Sequence, residues 1–340
     1  MFGTSTVSRL AARLFFLGAL AAPCAVQAAT YTPVASYVDP LGGRTSLLGI
    51  NNAGWLTGSV NYTDGTSQGL VRDAGGVYVA FSLGAFTQGR AISEANQVSG
   101  YATDATFNLQ TGTEFTRTAA GVVDVLQNPD TGEDLHGIAQ GMNASGAIVG
   151  DYYTGVGNTR HGFILDGATF TDLTVPGSPG LTTRARAITD AGDVAGWVVS
   201  GSGTRGFVLS GGAYQFFDAP GGLDSTTFED LNIHGVAVGN FTDGGVSHAF
   251  TYDIHTNVFT ALEVAGATSV QAFGINDLGQ VILTTDIAGG PNNFIYDPNG
   301  VPEPATWALM VLGFGAAGAA VRRRRPKAPA LSGPRASRPA

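Results

Sequence analysis

Cysteine is almost absent from this chain. Its 340 residues contain one cysteine, Cys24, which lies in a segment that we expect to be removed on export. The mature chain would then contain no disulfide, so its hydrophobic core has to supply the stability, as it can in a body of this length. An alternative role for Cys24 is lipid attachment, but Pro23 stands where lipoprotein signals carry a small residue.

Positive charge is also scarce. Residues 29–300 contain no lysine, eight arginines and 25 acidic residues, which gives this body a formal charge of −17. A surface of this sign repels phosphate, so we expect no nucleic-acid partner. It suits solubility outside the cell or contact with divalent cations, and neither is a specific function.

Motifs for catalysis and metal binding are scarce as well. The sequence has no His-x-x-x-His or cysteine pair for zinc and no glycine-rich phosphate loop before a helix. Gly65-Thr66-Ser67-Gln68-Gly69 has the Gly-x-Ser-x-Gly spacing, but no helical pattern follows it, so it is not a nucleophile elbow. Asp130, Glu133 and Asp134 share one loop and offer oxygen ligands for calcium, but a solvated polar turn is the favoured interpretation. We therefore predict no catalytic residue and no cofactor.

Long apolar runs occur only near the two termini. Arg9 and Arg13 precede an apolar run at 14–22, and small residues end at Ala28. This is the pattern of a secretory signal peptide over residues 1–28, with cleavage predicted after Ala28. Residues 29–300 then form an exported body.

The second run begins behind a short proline-containing motif. Its residues are Val301, Pro302, Glu303 and Pro304, and the apolar run of 305–321 follows, ending in Arg322, Arg323, Arg324 and Arg325. At about 1.5 Å per residue a helix of this length just crosses a hydrocarbon core of about 30 Å. The arginines would stay in the cytoplasm and hold the body outside.

This order of features resembles the PEP-CTERM sorting signal of Gram-negative, exopolysaccharide-producing bacteria. The resemblance covers 301–325 and implies recognition by a membrane-embedded exosortase that cuts near the motif. The protein would be anchored in the inner membrane before sorting and would then reach the cell surface or the extracellular space. The tail 326–340, expected to be disordered, departs from the family pattern. A plain single-pass anchor is the alternative.

The body between these signals is a repeat. A nine-residue element, such as Ile275-Asn276-Asp277-Leu278-Gly279-Gln280-Val281-Ile282-Leu283, starts at positions 50, 92, 142, 188, 231 and 275, at intervals of 42 to 50 residues. Such a period is typical of propellers and other repeat folds. The Asn/Asp-x-Gly centre predicts a tight hairpin turn between two short strands.

Two further strands follow in each repeat. The third strand of each repeat is predicted around an aromatic or apolar residue, in chain order Leu70, Phe115, Phe163, Phe207, Phe250 and Phe294. The fourth is a β-rich segment that follows in the first five repeats. Four short strands per repeat without a helical period make one propeller blade.

The sixth repeat lacks a fourth strand before the sorting motif. The segment from Tyr31 onward reads like the fourth strand that begins at Tyr214, so we predict that the N-terminal strand completes the last blade. The predicted fold is all-β, a six-bladed propeller closed by that strand, with a C-terminal transmembrane helix. A β-solenoid or an open array is the alternative.

The repeats resemble the glycine-rich extracellular repeats, of HAF type, that occur in PEP-CTERM proteins. The matches include His161-Gly162-Phe163 and His248-Ala249-Phe250, whereas Gln68 and Arg205 replace the histidine in other copies. The resemblance implies no activity, and a structural role at a strand end is the favoured interpretation of both histidines.

Two functions remain open. The favoured one is a non-catalytic surface or matrix protein whose loops contact polysaccharide or another protein. The alternative is an exported glycan-processing enzyme with a carboxylate site in the propeller channel. An enzyme should break the repeat with unlike acids and an arginine or tyrosine on its inner strands, whereas we expect these repeats to differ mainly in loop length.

Overall fold

The computed structural model describes residues 29–153, 159–176, 182–201, 203–221 and 225–300. Ala28, the PEP-CTERM residues, the arginine cluster and the predicted transmembrane segment all lie outside these residues. The described part is built from 24 β-strands, and within it no helix is long and apolar enough to span a membrane. The predicted all-β class is confirmed.

The strands form six groups, which we call blades 1 to 6 in chain order. The first strand named in each blade below is its inner strand. Blade 1 contains β2 (Arg44–Ile50), β3 (Leu56–Asn61), β4 (Ser67–Arg72) and β5 (Tyr78–Phe81), and blade 2 contains β6 (Phe86–Ile92), β7 (Val98–Thr103), β8 (Thr113–Arg117) and β9 (Val123–Val125). Blade 3 contains β10 (Gly137–Met142), β11 (Ile148–Tyr153), β12 (Arg160–Asp166) and β13 (Thr169–Leu173), and blade 4 contains β14 (Thr183–Ile188), β15 (Val194–Ser200), β16 (Gly203–Ser210) and β17 (Ala213–Phe217). Blade 5 contains β18 (Thr227–Leu231), β19 (Val236–Asp243), β20 (Val246–Asp253) and β21 (Val258–Leu262), and blade 6 contains β22 (Val270–Ile275), β23 (Val281–Thr285), β24 (Asn293–Asp297) and β1 (Thr30–Pro33).

Each blade is a four-stranded antiparallel meander. The exception in chain order is blade 6, where β1 pairs antiparallel with β24 along Thr30↔Asp297 to Pro33↔Phe294. The N-terminal strand therefore supplies the strand that the sixth repeat lacks, as its sequence predicted. Blades 1 and 2 also share a single parallel bridge between Ser67 and Phe86.

The nine-residue element forms the hairpin between the first and second strands of every blade. Its fifth residue has a positive φ in all six copies: Gly54, Asn96, Gly146, Gly192, Gly235 and Gly279. Glycine adopts this conformation without steric cost, and asparagine tolerates it better than other residues. The glycine or asparagine at the fifth position of the turn is thus explained by the positive φ that this position requires.

The core lies between the blades. The predicted centres Phe115, Phe163, Phe207 and Phe250 are fully buried, and so is Leu70. In the first five copies the repeat element ends in a glycine that packs closely against the first strand. A Cβ at this position would collide with a carbonyl oxygen of that strand. Buried aromatic side chains and close backbone contact together set the spacing of the strands.

The sixth and first blades are in direct contact. The buried amide of Asn293 on β24 accepts a hydrogen bond from the backbone N–H of Leu47 at 3.0 Å and donates one to the carbonyl of Thr45 at 3.1 Å. Residues 246 and 248 positions apart in sequence are joined in this way. The first and last repeats are therefore neighbours, as they would be in a propeller.

Candidate functional site in the central channel

One residue of each inner strand is left out of the strand pairing. The pairing of the first two strands skips one residue in every blade, which is a β-bulge. The six bulge residues are Leu48, Arg90, Gln140, Arg186, Glu229 and Phe273. All six line the same cavity, and we call them the channel ring.

The channel ring is not symmetric. Arg90 of blade 2 donates from Nε to Oε1 of Gln140 on blade 3 at 2.8 Å, and Arg186 of blade 4 forms an ion pair with Glu229 of blade 5. Blades 6 and 1 contribute the apolar residues Phe273 and Leu48 instead. The expectation that the repeats differ mainly in loop length is therefore wrong, since the residues facing the channel differ in charge and polarity.

A second set of contacts links the hairpin turns. The side-chain amides of four turn asparagines donate from Nδ2 to the backbone carbonyl of the turn in the next blade: Asn51 to Ser93, Asn143 to Thr189, Asn232 to Asn276 and Asn276 to Asn51. In each case Oδ1 accepts a backbone N–H of its own turn. One side chain thus holds its own hairpin and joins it to its neighbour.

Blades 2 and 4 carry Ser93 and Thr189 at this position. Their hydroxyls accept a backbone N–H of their own turn, at 3.1 and 3.2 Å, but are too short to extend to the next blade as an amide does. The bonds made by Arg90 and Arg186 lie at these same two interfaces, between blades 2 and 3 and between blades 4 and 5. The arginines therefore bridge the interfaces where the turn asparagine is absent.

The cavity opens between the hairpin turns. Three carboxylates lie at the third position of the turns in blades 2, 4 and 6, and we call Glu94, Asp190 and Asp277 the rim carboxylates. Each accepts a backbone N–H from the turn of the preceding blade: Asn52 at 2.9 Å, Ala144 at 2.8 Å and Ile233 at 3.2 Å. These acids are engaged in joining blades, and they also make the rim of the cavity negative.

Asp230 is the acidic residue next to the channel ring on blade 5. Its carboxylate accepts the backbone N–H of Ile275 on blade 6 at 2.8 Å and that of Leu231 at 2.8 Å. Burial raises the pKa of Asp230 to about 7, although both hydrogen bonds and the charge of Arg186 oppose the shift. A proton therefore occupies this carboxyl for part of the time at neutral pH.

The cavity has a volume of about 110 Å³, enough for several water molecules. Its inner end holds Arg90, Gln140, Arg186 and Glu229. The side chain of Arg186 is only 8 % exposed, and its Nε is buried without a hydrogen-bond partner. An unsatisfied donor of this kind lowers the stability of the folded state.

The residues singled out from the sequence lie away from this cavity. His161 on β12 contacts the carboxylate of Asp172 at 3.1 Å, and the ring of His248 on β20 stacks on Phe241. In the loop with Asp130 and Glu133, Asp134 accepts a hydrogen bond from Gln127 at 3.0 Å. Among the residues that the structure describes, no group of three or more His, Cys, Asp or Glu is arranged to hold a metal ion.

Sequence reasoning missed the channel ring, although a signal was present. Each ring residue stands two positions before the first residue of the nine-residue element. An alignment extended by two positions would have shown an arginine in two copies, an acid in one and apolar residues in two. Only the register of the strands reveals that this position faces the channel.

Comparison with known proteins identifies one segment of the chain. Residues 300–325 match the PEP-CTERM protein-sorting motif. The chain carries a PEP-CTERM sorting signal. The match confirms the resemblance drawn from Val301 to Pro304 and the arginines, and the PEP-CTERM signal implies export, recognition by an exosortase and membrane-anchored sorting to the cell surface. No curated protein matches the chain.

Solved structures similar to the described fold are β-propellers or proteins that contain them. TolB from Acinetobacter baumannii is 10% identical with a TM-score of 0.47, over 72% of this chain and 63% of that one, so the chain spans less than two thirds of it. A fucose-specific lectin from Aleuria aurantia is 12% identical with a TM-score of 0.45, over 78% and 100%. The β-propeller domain of the Trilobed protease from Pyrococcus furiosus is 6% identical with a TM-score of 0.43, over 77% and 99%.

Proposed function

We propose that this protein is an exported surface or matrix protein whose six-bladed propeller, closed through β1, binds polysaccharide or another protein without catalysing a reaction. The observation that carries the proposal is the engagement of the channel carboxylates. Glu229 is paired with Arg186, and the three rim carboxylates accept backbone N–H groups. Each of these carboxylates thus helps to hold two blades together, which is a structural role and not that of a general base.

The sorting signal indicates where the protein is delivered. We further propose that residues 305–321 cross the inner membrane before sorting and that an exosortase cuts near Pro304. The acidic body would then be released to, or held at, the cell surface, where its formal charge of −17 keeps copies soluble and apart.

Glycan-array binding by the full chain, purified in mild detergent, tests this function, with a hydrolase screen run in parallel on the same glycans. We expect saturable binding to a restricted set of glycans and no product. Turnover without stoichiometric binding would overturn the proposal.

An exported glycan-processing enzyme is the second candidate, and one observation favours it. The inner strands do carry unlike acids and arginines, and the pKa of Asp230 is raised to about 7 by burial, the range expected of a general acid. If the hydrolase screen is positive, Asp230→Asn should abolish turnover, with Asp243→Asn, exposed at the end of β19, as the matched control. Turnover that survives Asp230→Asn would exclude this site.

A further inference from the structure

A second cavity lies where the chain passes from blade 5 to blade 6. It is lined by Ser247 and His248 on β20, by the connecting segment 262–268 and by Val270 on β22, and we call it the outer cleft. Its volume is about 500 Å³, against about 110 Å³ for the channel. Pockets that bind small organic molecules have volumes of roughly 300–1,000 Å³. Of these two cavities, the outer cleft is therefore the one with room for a whole sugar ring.

His248 stands at a repeat position whose side chain is engaged within its own blade in three other copies. The position lies two residues before the centre of the third strand, and the three contacts are Gln68 with Tyr62, His161 with Asp172, and Arg205 with Asp218. The ring of His248 instead stacks on Phe241, and among the described residues its nitrogens have no hydrogen-bond partner. His248 is exposed, so both ring nitrogens are available to a ligand.

The position of Glu263 also has a counterpart in the preceding blade. The pairing of β20 with β21 has the same register as the pairing of β16 with β17. His248 and Glu263 of blade 5 therefore correspond to Arg205 and Asp218 of blade 4. In blade 4 the two side chains close on each other through three hydrogen bonds of 2.7, 3.0 and 3.1 Å.

The corresponding pair in blade 5 is open. His248 and Glu263 are both described by the structure, and no ion pair joins them. Both side chains instead line the outer cleft. Two repeat positions that bond to each other in blade 4 thus face a shared space in blade 5.

The connecting segment is fixed on both sides of the cleft. Val264, next to Glu263, is buried in the core, and its carbonyl accepts the backbone N–H of Ala267 at 3.1 Å. The backbone N–H of Thr268 donates to Oδ1 of Asp286 on blade 6 at 2.9 Å. A cleft whose walls are held before binding loses less conformational entropy when a ligand enters.

The polar groups of the outer cleft suit hydroxyl groups. An ionised carboxylate only accepts hydrogen bonds, whereas a neutral imidazole both donates and accepts, so Glu263 and His248 together match two neighbouring O–H groups. Ser247 adds a hydroxyl, and Ala265 offers an apolar contact for the C–H groups of a ring. An anionic ligand fits poorly, because Glu263 repels a second carboxylate and residues 29–300 carry a formal charge of −17.

From these observations we propose that the outer cleft binds a neutral sugar ring of a glycan, with two adjacent ring hydroxyls held between the imidazole of His248 and the carboxylate of Glu263. This inference rests on the proposed binding function and specifies its site and its class of ligand. It departs from the structural role that the sequence favours for His248. It keeps that role for His161, whose Nδ1 is engaged with Asp172.

Saturation-transfer NMR on the full chain in mild detergent tests the inference, with the methyl glycosides of D-glucose, D-galactose and D-mannose as probes. We expect saturable binding of at least one glycoside, and weaker binding of its uronic acid form, which carries a carboxylate. His248→Ala and Glu263→Gln should each weaken that binding about tenfold, as expected for the loss of one strong hydrogen bond. The matched control is His161→Ala, the same residue type at the same repeat position, which should leave the affinity unchanged.

Four outcomes would overturn the inference. These are no binding of any of the three glycosides, equal or tighter binding of the uronic acid form, unchanged affinity in His248→Ala and Glu263→Gln, and loss of binding in EDTA, which would mean that a metal ion mediates the contact. If the variants do not fold, as judged by circular dichroism, the reaction of the wild-type chain with diethyl pyrocarbonate decides. The bound glycoside should slow modification of His248 and not of His161, and equal or absent protection contradicts the site.

Failure of this site and failure of the proposed function give different results. Array binding that survives both His248→Ala and Glu263→Gln would mean that the protein binds glycans elsewhere, so that only the site is wrong. Turnover of glycans whose binding still depends on His248 would leave the site in place and overturn the non-catalytic function.

Discussion

Asn276 donates a hydrogen bond from Nδ2 to the backbone carbonyl of Asn51, at 3.1 Å and across 225 residues of sequence. The bond joins the turn of the last blade to the turn of the first. Asn52 and Asp277, the next residues in each turn, add a reciprocal pair of hydrogen bonds, both at 2.8 Å. The contact between the two ends of the repeat thus uses the same turn asparagine that joins three other pairs of blades.

Replacing this asparagine should weaken the fold. Asn276→Ala removes the bond to Asn51 and the Oδ1 acceptor of its own turn, in a buried position. We expect a loss of about 1–3 kcal/mol in the free energy of unfolding, measured by urea denaturation. The exposed Asn61→Ala is the control and should change little. Equal effects of the two substitutions would mean that the bond contributes nothing.

The opposite change should stabilise an interface that lacks the bond. Ser93→Asn introduces into blade 2 the side chain found in blades 1, 3, 5 and 6, and its amide would extend to the carbonyl of Asn143. We expect a gain of about 0.5–1.5 kcal/mol in the free energy of unfolding. A loss of stability would show that the interface with Arg90 is too crowded for the longer side chain.

Two glycines of blade 3 should respond differently to alanine. At Gly146 the φ is +90° and a Cβ would meet nothing within 4 Å, so Gly146→Ala should cost about 1 kcal/mol of strain alone. At Gly150 a Cβ would collide with the carbonyl oxygen of Ile138 and the ring of Phe163. Gly150→Ala should therefore cost about 3 kcal/mol or more, in the same denaturation experiment. Similar costs at both sites would contradict the close packing of the blade.

Asp230 should make stability depend on pH. Its pKa is raised by burial to about 7 in the folded chain, against about 3.9 when unfolded. The folded state binds the proton more tightly, so this contribution is complete below about pH 4 and is lost as the pH rises to 7. The loss is on the order of 4 kcal/mol at most, and Asp230→Asn should remove it. An identical pH profile of unfolding in the variant would place the titration elsewhere.

Glu114 should also make stability fall as the pH rises. It occupies a position where four other blades have glycine or alanine. Its side chain is fully buried, and neither carboxyl oxygen has a hydrogen-bond partner. Burial and the charge of Asp151 raise the pKa of Glu114 well above its usual value. Stability should therefore fall as the pH rises through that folded pKa, and Glu114→Gln should flatten this part of the profile. A steeper profile in Glu114→Gln would contradict a neutral carboxyl.

Much of the fold could be predicted because local rules repeat six times. Three features can be read from the local sequence. These are the positive φ at Gly279 and its five equivalents, the buried Phe of the third strand (Leu70 in blade 1), and the match between Tyr31 and Tyr214. The sorting motif around Glu303 is likewise local.

The channel could not be predicted in the same way. Arg186 and Glu229 are 43 residues apart. The local sequence around each does not indicate that a β-bulge places both residues at the channel. Similarly, Glu114 occupies a position where four other blades have glycine or alanine, so its burial depends on blades that meet only in the folded chain. Contacts between repeats, unlike turns within them, require the register of the strands.

The mass of the mature C-terminus, from protein recovered at the surface of its host, tests the central claim most directly. An exported protein sorted through the PEP-CTERM signal should end close to Pro304, without the apolar run of 305–321 or the arginines that follow. A surface protein that retains the chain through Ala340 would contradict sorting by cleavage and leave a plain membrane anchor.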